Sequence, residues 1–99
     1  MQNDKIRFKM TEEESLLLER YNYVWKSHQA YVSTLAGELA RCENPEAKAM
    51  LEEEKDLCKR AYLDLLTAQT EVLRNHCPEG VQEGVHFFFD FRTQDVSEL

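Results

Sequence analysis

The chain's only two prolines, Pro45 and Pro78, divide it into pieces whose folding options are few. Between Thr11 and Cys42 there is no proline and a single glycine, Gly37, and between Pro45 and His76 there is neither. Through the first stretch Leu17, Tyr21, Val24, His28, Tyr31, Leu35 and Cys42 recur mostly at spacings of three and four, while Leu18, Trp25, Val32 and Leu39 recur every seven. The second stretch repeats the pattern with Ala47, Met50, Leu51, Leu57, Cys58, Ala61, Leu65, Ala68, Val72 and Leu73. Such periodicity without breakers predicts two amphipathic helices, each roughly 45 Å long at 1.5 Å per residue.

The junction "CENPEA" (42–47) supplies both a stop and a start. Asn44 suits an N-cap, Pro45 the first helical position, and Glu46 the positive end of the helix dipole. Helices over 11–42 and 45–76 joined by so few residues must fold back as an antiparallel hairpin. Opposed residues then have numbers summing to roughly 87, which brings Tyr21 near Leu66, Trp25 near Tyr62, and His28 near Cys58 and Lys59.

Strand patterns flank the hairpin. "KIRFKM" (5–10) alternates Lys5, Arg7 and Lys9 with Ile6, Phe8 and Met10, the period of a strand with one buried face. Thr11 and Glu14 in the following "TEEE" form a capping box, the hydroxyl accepting from one backbone N–H while the carboxylate reaches back to another. Pro78 ends the second helix near His76, and "CPEGVQEG" (77–84) reads as turn chemistry. In "VHFFFDFR" (85–92), Val85, Phe87, Phe89 and Phe91 share one face and His86, Phe88, Asp90 and Arg92 the other. The expectation is one α+β domain over 1–99, predominantly α. A long two-helix hairpin carries an antiparallel ribbon of strands 5–10 and 85–92, and residues 93–99 form a flexible tail.

Composition narrows the function. A formal charge of −7 and a pI near 4.9 argue against charge-driven binding of nucleic acid, which needs cations to displace counterions from phosphates. The same charge suits a partner with a basic surface. Cys42, Cys58 and Cys77 are odd in number and irregular in spacing, as expected for reduced thiols in a cytoplasmic protein. No apolar run has the length of a signal peptide or approaches the ~20 residues that span a bilayer, so neither export nor a membrane location is expected.

Catalytic and metal chemistry find little purchase. His28 beside Cys58 has no third ligand in its layer, and His76, Cys77, Glu79 and His86 match no strong ligand spacing, so no metal or other cofactor is expected. The Cys and His residues lie without a glycine-rich phosphate cradle or a loop-borne oxyanion site, so no enzyme is expected either.

Each helix instead carries about three apolar columns, more than one neighbouring helix can cover. A homodimer is the expected remedy. The candidate contact residues for a further macromolecule are the acidic group Glu52, Glu53, Glu54 and Asp56 and the outward-facing His86, Phe88 and Asp90. These describe a non-enzymatic, self-associating protein that acts as an adaptor or inhibitor.

A competing reading starts from Lys5, Arg7 and Lys9. The segment "IRFKMTEEESLLLERY" resembles the opening of ribbon-helix-helix proteins, in which a strand of alternating basic residues precedes a capped helix, and "SHQAYVSTL" (27–35) is faintly similar to their second helix. The resemblance implies that Lys5, Arg7 and Lys9 face a DNA groove from an intermolecular ribbon. It covers about a third of the chain, and no glycine marks the turn the family would place near Lys26 and Ser27.

Overall fold

The computed structural model describes residues 6–99. Its elements in chain order are β1 (Ile6–Lys9), α1 (Glu12–Arg41), α2 (Pro45–His76), α3 (Pro78–Glu83), β2 (Phe87–Phe89) and β3 (Asp95–Glu98). The fold is α+β and predominantly α, with two long helices packed as an antiparallel hairpin and a small antiparallel sheet. Contacts gather the chain into two compact units, one formed by the described residues up to Glu19 with Leu66–Leu99, the other by Arg20–Leu65.

The helix ends follow local chemistry. Glu14 N–H donates to Thr11 Oγ1 at 3.1 Å and Thr11 N–H donates to Glu14 Oε1 at 2.9 Å, a reciprocal capping box at the start of α1. Asn44 Oδ1 accepts from the N–H groups of Glu46 and Ala47 at 3.0 and 3.4 Å, which caps α2 with Pro45 in its first turn.

In the first unit the sheet has the order β1-β3-β2, with β3 antiparallel to both neighbours. Residues 95–98, expected in a flexible tail, form the central strand, and β1 and β2, expected to pair directly, lie on either side of it. The reversal that makes this possible is built on Asp90, whose Oδ1 accepts from Arg92 N–H at 2.9 Å and Thr93 N–H at 3.3 Å, while Gln94 takes the left-handed conformation at φ 67°. Strand 85–92 accordingly shortens to Phe87–Phe89.

Val96 is wholly buried and joins Met10, Leu18 and Val72 in a core surrounded by Phe8, Ala68, Leu73, Phe87, Phe89 and Phe91. The inward phenylalanines thus pack where alternation placed them. Ile6 does not. The pairing Ile6 with Ser97 and Phe8 with Val96 inserts Arg7 as an extra residue in β1, and a bulge of this kind breaks the period-two alternation. Ile6 and Phe88 both pair with Ser97 and so share the outer face of the sheet, at 40% and 53% exposure.

Residues 78–83, expected as a turn, form a short helix instead. Pro78 starts it, and Gly84 at φ 72° ends it, with Gly84 N–H donating to Val81 O and Val85 N–H to Gly80 O. This is a Schellman termination, and it needs a residue that enters the left-handed region without strain. Gly80 is buried because the Phe87 ring lies directly on it.

Candidate interaction surfaces

The second unit, Arg20–Leu65, consists of the hairpin segments 20–41 and 45–65 and the loop between them. Leu35, Ala47, Leu51, Glu54, Ala61 and Leu65 are its buried residues. On α2 these recur at spacings of four, three, seven and four, a single stripe that passes through Glu54. Glu54, expected as a contact residue with Glu52, Glu53 and Asp56, is therefore not exposed for contact. Its carboxylate turns inward and bonds His28 Nδ1. His28 was expected beside Cys58 and Lys59; the long glutamate arm, one turn earlier on α2, is its partner instead. Glu52, Glu53 and Asp56 remain exposed, with Glu52 3.5 Å from Lys55 across one turn.

The His28–Glu54 bridge sits at the centre of a repeated pattern. On α1, Val24 and Tyr31 lie four residues before and three after His28; on α2, Met50 and Leu57 lie four before and three after Glu54. Residues at these spacings share a helix face, so two short apolar rows border the polar bridge. All four side chains are well exposed, at 41% and 42% on α1 and 45% and 38% on α2.

A groove also opens between the helices. Trp25 and Tyr62 meet there with ring centroids 4.9 Å apart, the pair that the hairpin register predicts. With Val32, Cys58, Lys55 and Lys59 they line a cavity of about 370 Å³. Lys26 Nζ lies 5.1 Å from the Trp25 ring centroid, within cation–π range.

The candidate residues of the first unit are more occupied than exposure alone suggests. Arg7 bonds Glu98, which raises its guanidinium pKa further, and Lys9 Nζ lies 3.5 Å from Asp95. The bulge separates Arg7 from the alternation that would align it with Lys9, and Lys5 lies outside the described residues. Asp90 is committed to its turn, and the N–H groups of Arg92 and Thr93 hold its carboxyl below the ordinary value. His86 is exposed and lends its carbonyl to Leu99 N–H at 2.9 Å. Phe88 alone among the phenylalanines is exposed.

His76 ends α2 and joins three elements. Its Nε2 lies 2.9 and 3.0 Å from the two Glu14 oxygens, and its ring stacks on Phe8 at 4.5 Å with planes 9° apart. Burial would raise the Glu14 carboxyl, but the Thr11 N–H and His76 outweigh it and hold the group below its ordinary value.

Among the described residues no three His, Cys, Asp or Glu side chains converge as a metal-binding group. Cys42, Cys58 and Cys77 are free thiols. No helix of the described residues is long and apolar enough to cross a membrane. No protein-family model, curated protein or solved structure matches the chain.

Proposed function

We propose that this is a small non-enzymatic interaction protein that works as a homodimer and acts as an adaptor or inhibitor of a macromolecule with a basic surface. The observation that carries the reading is the pair of exposed apolar rows, Val24 and Tyr31 with Met50 and Leu57, around the His28–Glu54 bridge. Apolar residues seven apart on the outside of a helix match the spacing at which another nearly parallel helix packs. A second copy presents the same two rows and closes them into a four-helix layer with the polar bridge inside, where a buried polar group fixes register.

Tyr31→Glu or Leu57→Glu should convert the protein to a folded monomer, read by light scattering after size exclusion, while Phe88→Glu leaves its mass unchanged. A dimer that survives both hairpin substitutions contradicts this face. The exposed carboxylates Glu52, Glu53 and Asp56, together with Phe88 and Ile6 on the outer sheet face, are left for the partner. A lysine-rich model peptide should lose more affinity to Glu52→Gln/Glu53→Gln/Asp56→Asn than to Glu12→Gln/Glu13→Gln/Glu19→Gln, which removes the same charge elsewhere.

The DNA-binding alternative draws less support, because Arg7 and Lys9 already face carboxylates of β3. A salt-sensitive shift of duplex DNA that vanishes in Arg7→Ala/Lys9→Ala would restore it.

A further inference from the structure

The groove between α1 and α2 is edged by lysines. On a chain of net charge −7, the open groove lined by the Trp25–Tyr62 pair, Val32 and Cys58 has Lys55 and Lys59 as its charged lining among the described residues, with Lys26 beside Trp25. Lys55 and Lys59 are one helical turn apart on the same side of α2, and Lys55 Nζ lies 3.5 Å from Glu52. About 370 Å³ falls within the range of a few hundred to about 1,000 Å³ typical of small-ligand pockets, which are mostly apolar with a few polar groups that set orientation.

We propose that this groove binds an amphipathic organic anion, an apolar body of modest size carrying one carboxylate. The body lies along the flank of the Trp25–Tyr62 pair over Val32 and Cys58, and the carboxylate meets Lys59 and Lys55 at the rim, competing there with Glu52 for Lys55. Both the sign of the charge and its position at the edge of an otherwise apolar cleft select an anion over a neutral or cationic molecule of the same length. This assignment is independent of the dimer reading, which rests on the rows flanking His28 and Glu54.

Trp25 is the only tryptophan and the chain has four tyrosines, so fluorescence excited selectively at tryptophan reports on the groove through Trp25. Titrating the full chain with octanoate below its micelle concentration should shift Trp25 emission saturably, whereas octanol and octylamine should bind at least about ten-fold more weakly. Lys55→Gln/Lys59→Gln, two surface substitutions that leave helicity unchanged by circular dichroism, should weaken octanoate about ten-fold and leave octanol unaffected, since an exposed charge contact contributes modestly. Equal binding of octanoate and octanol, an unchanged octanoate affinity in the lysine variant, or the absence of a saturable shift would each overturn the proposal.

Discussion

Replacing Gly80 by alanine tests how tightly α3 is locked to the sheet. An added Cβ would lie 2.5 Å from Phe87 Cζ, 3.1 Å from Phe87 Cε2 and 3.3 Å from Cys77 Sγ. Restoring an ordinary carbon–carbon contact requires the ring to move by about 1 Å, and Phe87 is packed against the Met10, Leu18, Val72 and Val96 core. Overpacking of this kind costs about 1–3 kcal/mol, while relief of glycine's unfolded-state entropy returns about 0.4–1 kcal/mol. The net expectation is a loss of about 1–2 kcal/mol, measured by urea unfolding. Phe87→Leu removes the offending ring atoms, so Gly80→Ala made in that background should be neutral or slightly stabilising. The double-mutant cycle then shows coupling of at least about 1 kcal/mol. Equal costs in both backgrounds, or a stabilising Gly80→Ala in the wild type, would refute the contact.

Other expectations follow from the same geometry. Val96→Ala should cost about 2 kcal/mol, from the buried methyl groups and the space they leave, and deleting residues 95–99 should unfold the sheet, seen as lost amide protection in β1 and β2. His28→Leu and Glu54→Leu should each cost about 1–3 kcal/mol by leaving a half-buried partner unpaired, and the double substitution should recover most of that loss. The folded-state pKa of Glu14 lies below its ordinary 4.5, so its contribution is complete at neutral pH and fades as pH falls through and below that range. Glu14→Gln should therefore lower stability at pH 7 by about 0.5–1 kcal/mol and flatten the acid limb of a stability-against-pH curve.

How much of this was legible depended on the range of the interactions. The hairpin, its Asn44 and Thr11 caps and the Trp25–Tyr62 contact follow from periodicity and local chemistry, because a helix satisfies its own backbone and one short loop sets the register. Strand β3 was hidden because "TQDVSEL" contains one large apolar residue before its last position, and its pairing depends on an Asp90-centred turn back onto β2 and on β1, which is distant in sequence. Helix α3 carried its signals openly, Pro78 at the start and Gly84 at the end, but over only six residues these same two read as breakers. Glu54 was misplaced because its neighbours in "EEEKD" suggest a solvated run, although the spacing from Leu51 to Ala61 passes through it. The groove was missed because Trp25 and Val32 lie on α1 while Lys55, Cys58, Lys59 and Tyr62 lie on α2, and they converge only after the register is set.

The central claim is that the hairpin's exposed apolar rows are covered by a second copy, and sedimentation equilibrium of the wild-type chain over a wide concentration range tests it most directly. The account predicts a mass of twice 11.7 kDa that persists on dilution into the micromolar range. A single species of 11.7 kDa up to millimolar concentration would contradict it.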